Sequence, residues 1–544
     1  MKKIFLILVL VLALAVRFYR INQLPSGFNA DEAAIGYNAY SLLETGKDEH
    51  GNRWPLHFQS FNDFKPGGYI YLILPLVKFF GLNEFAVRLP SILAGVLSVY
   101  LIYLLVNELF PKPKLFGFLT IGGIAAFFLA LSPWAIHFSR GAWETSVASF
   151  FQLLGIWLFL KGTKKPIFFI PSIITFIFST YVYHSTRLTT PLLLLFLVVV
   201  YRRKIWESKK VLTGILLVGL VLGVPLLVSF AKSGTVRFSG VGLVADVGPL
   251  WDVNRLRGEH SGNTNAFWLR IIHNWPLSYF FRLAKNWASH FETEFLFVTG
   301  DKIKRSNCPE MGQFYWLDLF FLLTGFYFWF RKKEKKFILP FYWLLIAPIP
   351  AAITFQAPHA LRAQTMVYPW LIISAFGAYY LLLFLQKKAT LFLKLFLGIV
   401  LFFYLSNFAY FLNQYFVIYP QKYPEAWEYG FEELVAYLEP IKDDYSKIYV
   451  TEVYDQPYIL FLFYLKYPPE KFQTEAKLTP RGKFFFSTVR DFDRFHFERI
   501  DLKSLKGEKN ILIVGTDEEI PEGENVIKTI YFPNGAPAFE IVSR

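Results

Sequence analysis

Residues 88–132 read RLPSILAGVLSVYLIYLLVNELFPKPKLFGFLTIGGIAAFFLALS. The stretch contains two long apolar runs, 88–109 and 115–132, joined by a short connection that carries Lys112 and Lys114. An α-helix rises about 1.5 Å per residue, so about 20 apolar residues cross the hydrocarbon core of a bilayer. Two such runs with a basic connection between them indicate a pair of membrane-spanning helices.

Apolar runs of this kind recur along the chain, whose 544 residues are 54% hydrophobic and only 18% charged. A soluble domain usually carries about a quarter charged residues, so lipid is the natural solvent for the surplus apolar surface. The sequence predicts a mainly α, polytopic transmembrane protein with about eleven helices. The count depends chiefly on 68–82 and 189–201. The predicted spans are 4–20, 88–109, 115–132, 146–160, 166–183, 189–201, 211–230, 315–330, 337–353, 366–385 and 391–411.

Basic clusters occupy every second connection between these runs, and the positive-inside rule assigns such connections to the cytoplasm. The clusters lie at 2–3, 112–114, 161–165, 202–210, 331–336 and 387–388. The segments that then face outward are 21–87, 133–145, 231–314, 354–365 and 412–544. We therefore expect a multi-pass protein of the cytoplasmic membrane, with its N-terminus inside and its tail outside. An uncleaved first helix is favoured over a signal peptide ending near Ala15. Topology explains much of the net charge of +15, so nucleic-acid binding is not predicted.

The tail is more charged and breaks into short patterns from about residue 425. Its segment 431–441 is typical of a helix, whereas 447–453, 510–516 and 526–532 are typical of buried strands. The sequence thus predicts a transmembrane domain over 1–411 and a small outward α/β domain over 412–544.

The first outward segment, 21–87, is the most polar part of the predicted transmembrane domain. It contains PSGFNADEAAIGYNAYSLLETGKDEHG at 25–51, with Asp31 and Glu32 close after the first helix, and Lys65 follows. A carboxylate near a membrane face can act as general base for an acceptor hydroxyl, and a lysine can neutralise a phosphate leaving group. The pattern alone favours a second interpretation, in which Asp31 and Glu32 cap a helix and Lys65 anchors the chain at the interface.

Further polar side chains fall in three other outward connections. They are Arg140 and Glu144 in 132–146, Tyr183, His184 and Arg187 in 180–191, and His359 and Arg362 in 355–364. Ionisable groups at membrane depth usually line a cavity or find a partner. Basic groups on one face would attract an anionic lipid headgroup. For Arg140 and Glu144, a helical ion pair is the simpler alternative.

A metal site is only weakly indicated. His290, Glu292 and Glu294 alternate before Asp301, so two carboxylates would share one face of a strand, but structural or acceptor-side roles fit as well. The single cysteine, Cys308, excludes a disulfide framework within the chain. No Gly-rich phosphate loop supports a soluble nucleotide-dependent enzyme.

The order of motifs resembles that of the GT-C membrane glycosyltransferases. These motifs are P-x-G-F-x-x-D-E-A-x-x-G-Y-x-A-Y-S-L-L-x-T-G-x-D-E-x-G, then D-x-K-P-x-x-Y-x-Y, then R-L-P-S. The likeness is strongest over 1–190, towards the family 39 protein O-mannosyltransferases, the aminoarabinose transferase ArnT and RgtA/B/C/D-like proteins. It implies Asp31 as catalytic base, Glu32 as a second carboxylate and Lys65 on the donor phosphate. ArnT-like members usually have Glu before that lysine, where this chain has Phe64, with Asp63 one step away.

The resemblance therefore implies a GT-C enzyme that moves a hexose or pentose from a polyprenyl-phosphate donor, with inversion. The acceptor would be a glycan, lipid or protein on the outer face, and no cofactor is certain. Arg140, Arg187 and Arg362 would join Lys65 at the phosphate, and the expected substrate-site residues are Asp63, Glu144, Tyr183, His184 and His359. The alternatives are a flippase or transporter of lipid-linked glycans and a glycan polymerase or ligase.

Overall fold

The computed structural model describes residues 2–61, 63–260, 267–388, 390–480 and 487–544, and most of these are helical. The α-helices are Lys2–Phe18, Ala30–Thr45, Gly68–Phe80, Glu84–Leu109, Ile121–Leu131, Pro133–His137, Glu144–Gly162, Phe169–Val182, Thr186–Trp206, Lys209–Val241, Gly248–Gly258, Phe267–Ile272, Trp275–Ser289, Trp316–Lys332, Ile338–Ile346, Ile349–Ala352, Val367–Lys388, Thr390–Asn413, Tyr419–Lys422, Phe431–Leu438, Pro457–Tyr464 and Pro469–Glu475. The prediction of a mainly α, polytopic protein is confirmed.

Five helices in the described ranges are long and apolar enough to cross a membrane. They are Glu84–Leu109, Glu144–Gly162, Val211–Ser229, Gln364–Lys387 and Leu391–Lys422. Each of the other predicted runs also carries helix, but in shorter or interrupted pieces. Residues 337–353, for example, divide into Ile338–Ile346 and Ile349–Ala352. Helix Gly68–Phe80, of 13 residues, falls in 68–82, one of the two stretches on which the predicted count depends.

The chain divides into two compact units. One comprises Met1–Ala13, Val96–Ile136 and Ala148–Phe408, and the other comprises Leu14–Gly95, His137–Val147 and Ala409–Arg544. We call them the helical unit and the mixed unit. The first outward segment and the tail, which are far apart in sequence, thus belong to the same unit.

The mixed unit contains two sheets. The strands are β1 (His57–Ser60), β2 (Asp63–Pro66), β3 (Lys447–Thr451), β4 (Asp491–Phe492), β5 (Phe495–Glu498), β6 (Ile511–Gly515), β7 (Val526–Tyr531) and β8 (Pro537–Ser543). Strands β1 and β2 form an antiparallel hairpin, and the others form a six-stranded sheet in the order β4-β5-β3-β6-β8-β7. Strand β3 is parallel to both its neighbours. The predicted C-terminal α/β region is confirmed, and β4, β5 and β8 are additional to the predicted strands.

The tail also packs directly on helix Ala30–Thr45. A Cβ added at Gly36 would lie 2.6 Å from Cε2 of Phe463, so the absence of a side chain permits this close approach. The Tyr37 hydroxyl donates to the Tyr467 carbonyl at 2.9 Å. Helix Ala30–Thr45 is therefore held in place by residues from the far end of the sequence.

Candidate active site

Helix Ala30–Thr45 begins with a capping box. The Asn29 side chain accepts a hydrogen bond from the Glu32 backbone N–H at 3.1 Å, and the Glu32 carboxylate accepts one from the Asn29 N–H at 3.4 Å. Asp31 lies in the same first turn, where the helix N-terminus favours negative charge. The capping interpretation therefore applies to Glu32, and it leaves the Asp31 side chain available for other contacts.

Glu32 is buried and forms an ion pair with Arg88. Its Oε1 and Oε2 accept from Nε and Nη2 of Arg88 at 3.0 and 2.9 Å, and Oε1 also accepts from the Ala142 N–H at 2.6 Å. The Arg88 guanidinium is fully buried and donates to the Gly27 carbonyl at 2.6 Å. With its oxygens occupied in this way, Glu32 fixes the start of the helix. In the sequence, Arg88 can be recognised as a charged residue at the start of an apolar run, where a charge usually has a partner.

Asp31 and Lys65 form a second, more open ion pair. The Lys65 ammonium donates to Oδ1 of Asp31. The Asp31 side chain is 39% exposed, whereas that of its neighbour Glu32 is 2% exposed. The structure thus brings together the predicted base and the predicted phosphate ligand, and it leaves the base accessible to a substrate.

The β1–β2 hairpin sets the position of Lys65. Lys65 lies opposite Phe58 in the hairpin, and its ammonium lies 5.0 Å from the centre of the Phe61 ring. A Cβ added at Gly67 would lie 2.6 Å from Cε2 of Phe58, so a glycine is needed where the strand turns into the next helix. The side chain of Asp63 lies outside the described part of the hairpin.

Arg140 has partners other than a phosphate. Its fully buried guanidinium donates to four backbone carbonyls at and after the end of the first helix. These carbonyls belong to Val16 at 2.6 Å, Arg17 at 2.9 Å, Tyr19 at 2.7 Å and Leu24 at 3.0 Å. Glu144 begins helix Glu144–Gly162. These hydrogen bonds give Arg140 a structural role at this backbone turn, and its role at the donor phosphate stays a prediction.

The remaining predicted phosphate ligands belong to the helical unit. Arg187 donates to the Thr180 carbonyl at 3.2 Å, and its Nη1 lies 3.1 Å from Nδ1 of His184. Both side chains are half-buried, and the preceding Tyr183 is buried. Arg362 donates to the Thr354 hydroxyl at 2.7 Å.

His359 lies in a buried cluster rather than at an open surface. Its Nδ1 lies 3.3 Å from Oδ2 of Asp301, and its backbone N–H donates to Nε2 of His290 at 3.1 Å. Burial lowers the pKa of both histidines, that of His290 to about 4. Asp301 also accepts from the Ala360 N–H at 2.6 Å, so this cluster stabilises the turn that carries Arg362.

The prediction that His290, Glu292 and Glu294 lie on a strand, with two carboxylates on one face, is wrong. Residues Glu294–Val298 form a helical turn, and the Glu292 and Glu294 side chains are exposed. The alternation of polar and apolar residues arose at the end of a helix, where a period of two has no structural meaning. Within the described ranges, no three His, Cys, Asp or Glu side chains form a group that could hold a metal ion.

Part of the chain is similar in sequence to known proteins. Residues 65–228 match the family model described as dolichyl-phosphate-mannose-protein mannosyltransferase. A putative mannosyltransferase, YkcB of Bacillus subtilis (strain 168), is 34% identical over 121 residues, which are 20% of this chain and 16% of that protein. The aligned segment thus spans about a sixth of that relative.

Solved structures share the fold at low identity. ArnT from Cupriavidus metallidurans in the apo state gives a TM-score of 0.54 at 12% identity, over 99% of this chain and 98% of that chain. The same enzyme bound to undecaprenyl phosphate gives 0.50 at 11% identity, over 100% and 98%. The oligosaccharyltransferase AglB from Archaeoglobus fulgidus gives 0.51 at 12% identity, over 85% of this chain and 63% of that chain. The chain thus has a segment similar to one mannosyltransferase family model and shares its fold with ArnT and AglB.

Proposed function

We propose that the protein transfers a hexose or pentose from a polyprenyl-phosphate donor to an acceptor hydroxyl, with inversion at the anomeric carbon. The observation that carries the proposal is the exposed Asp31 carboxylate beside the Lys65 ammonium. A base and a cation next to each other match the two charges that change during glycosyl transfer.

The chemical step is a single displacement. The acceptor oxygen forms a bond to the anomeric carbon while its proton passes to Asp31. The bond between that carbon and the phosphate oxygen breaks, and the phosphate leaves with the bonding electron pair. Lys65 stabilises the additional negative charge on the phosphate, and one displacement inverts the configuration.

Donor binding must also rearrange the ion pair. In the structure the Lys65 ammonium donates to Asp31, so an incoming phosphate competes with that carboxylate for it. Once Lys65 has turned to the phosphate, Asp31 is available to the acceptor hydroxyl. The ion pair therefore links donor binding to the release of the base.

The comparisons support the donor class. One structure that shares the fold is an ArnT bound to undecaprenyl phosphate, and the matched family model is named for dolichyl-phosphate-mannose. The acceptor is a glycan, lipid or protein. Arg187 and Arg362 are proposed as further phosphate ligands, and Tyr183, His184, Glu144, Asp63 and His359 as residues near the substrate.

The test of the proposal is Asp31→Asn. Since general bases contribute about 10²–10⁴ in rate, we expect transfer from a polyprenyl-phosphate sugar to fall by about 100-fold or more. Glu44→Gln is the matched control, because Glu44 is an exposed carboxylate on the same helix. If Asp31→Asn transferred sugar at the rate of this control, Asp31 would not be the general base.

The alternatives give different outcomes in the same membranes. A flippase or transporter would move labelled glycolipid across vesicles without transferring sugar. A polymerase or ligase would require a lipid-diphosphate donor and would not use the monophosphate.

We further propose that the site faces the outside, with the basic connections in the cytoplasm. Cys308 is buried, and it is the only cysteine in the sequence. A membrane-impermeant maleimide should therefore label Glu522→Cys, which lies in the tail, from outside intact cells. Lys335→Cys, in a basic connection, should react only after lysis, and the reverse pattern would invert the topology.

A further inference from the structure

Glu49 is a fully buried carboxyl in the loop that connects helix Ala30–Thr45 to the hairpin. Its Oε1 accepts from the Asn38 side-chain amide at 3.0 Å, and its backbone N–H donates to the Asn38 side-chain carbonyl at 3.0 Å. Asn38 belongs to the helix that carries Asp31. Glu49 therefore fastens the loop to this helix by a reciprocal pair of hydrogen bonds.

The other oxygen of Glu49 is buried without a hydrogen-bond partner in the described part of the chain. The hydroxyl of Tyr458, a buried residue of the tail helix Pro457–Tyr464, is unpartnered in the same way. The pKa of Tyr458 is raised by burial, then by the charge of the neighbouring Glu49 carboxyl and by the interaction of the two side chains, so the two groups face each other in one enclosure. An ionised carboxylate with so few donors is costly to bury, whereas a protonated carboxyl can itself donate to the tyrosine oxygen.

The electrostatic surroundings agree with a protonated group. Burial raises the pKa of Glu49, and His50, Asn38 and Lys65 oppose that shift only in part. Lys65 thus lies within electrostatic reach of a second carboxyl besides Asp31. If Glu49 were ionised, it would attract the ammonium that the donor phosphate needs.

We propose that Glu49 is a positioning residue of the donor site. As a neutral carboxyl it holds the loop to the Asp31 helix through Asn38, and it leaves the Lys65 ammonium to Asp31 and to the donor phosphate. This inference rests on the proposed function, because it gives Lys65 the phosphate role.

Two substitutions separate a neutral carboxyl from an ionised one. The readout is the affinity of the full-length protein for undecaprenyl phosphate in lipid nanodiscs. Glu49→Ala leaves the buried Asn38 amide without its partner and should weaken binding about tenfold. Glu49→Gln keeps a neutral partner for that amide, so its affinity should lie within about twofold of wild type. Binding by Glu49→Gln as weak as that of Glu49→Ala would overturn the inference, because the ionised form would then be required.

The pH profile provides a second test that does not depend on the folding of Glu49→Ala. Since the pKa of Glu49 is raised, the group is neutral at low pH and ionises as the pH increases. As the pH rises through this raised pKa, wild type should lose affinity relative to Glu49→Gln, which cannot ionise. Parallel profiles would overturn the inference. The other groups around the site, which are the same in both proteins, are Asp48, His50, Lys65, Tyr37, Tyr458 and Asp455.

A third variant separates this inference from the proposed function. Lys65→Gln should bind undecaprenyl phosphate much more weakly than wild type at every pH. Equal binding by Lys65→Gln would overturn the donor site and, with it, the role of Glu49. Weak binding by Lys65→Gln together with parallel profiles for wild type and Glu49→Gln would overturn the role of Glu49 alone.

Discussion

Asp31 and Glu32 are adjacent carboxylates in one helical turn, yet they have opposite surroundings. Glu32 is 2% exposed and is bound by a fully buried guanidinium and by backbone N–H groups. Asp31 is 39% exposed and is bound by the ammonium of Lys65, whose side chain is 10% exposed. The difference shows that one helical turn can place two adjacent carboxylates in different surroundings. Glu32 holds the helix in place, and Asp31 remains accessible to solvent.

The largest expected effect comes from breaking the buried ion pair between Arg88 and Glu32. Arg88→Met would leave Glu32 and Glu84 buried beside an apolar side chain, which should cost about 3–5 kcal/mol of stability. The measurement is thermal unfolding of purified protein in detergent. Lys65→Met is the matched control, since it removes the partner of a partly exposed carboxylate and should cost below about 1 kcal/mol. Equal losses of stability in the two variants would abolish the distinction between the pairs.

A smaller effect concerns Arg140, another buried guanidinium of the mixed unit. Lysine has three donors and no fork, so Arg140→Lys cannot satisfy four carbonyls and should cost about 2 kcal/mol. Binding of undecaprenyl phosphate by the folded fraction should not change. If Arg140→Lys weakened this binding while thermal stability stayed the same, the phosphate role predicted from the sequence would be supported.

The smallest expected effect concerns the ion pair between Asp31 and Lys65. Asp31→Asn removes the carboxylate that competes for Lys65, so undecaprenyl phosphate should bind about fivefold more tightly, or ~1 kcal/mol. The same substitution in a Lys65→Met background should have less than about a twofold effect, because the competition acts through Lys65. A tightening of equal size in both backgrounds would indicate plain repulsion between Asp31 and the phosphate.

Hydropathy predicted the helices well, since long apolar runs are a local property of the chain. The interrupted segment 337–353 and the short helix Gly68–Phe80 show its limit, because length and interruption decide whether one helix can span. In the tail, the central strands β3 and β6 were evident from continuous apolar runs. The two-residue strand β4 is too short to produce any pattern.

The sequence predicted a set of candidate site residues, but it could not show which partners each of them has in the fold. Asp31 and Glu32 have the same local sequence, and the partner that distinguishes them, Arg88, lies 56 residues away from Glu32. The sequence could not show the four carbonyl partners of Arg140, because they lie more than a hundred residues earlier in the chain. Such contacts are products of the tertiary fold.

The packing of the tail on helix Ala30–Thr45 has a consequence for biosynthesis. Tyr37 and its partner Tyr467 are 430 residues apart. At about 5–20 residues per second, a ribosome needs about 20 to 90 s to add the second tyrosine after the first. A nascent chain therefore carries the Asp31 carboxylate on a helix that does not yet have its packing partner from the tail. The complete surroundings of this helix can form only after residues of the tail have been synthesised.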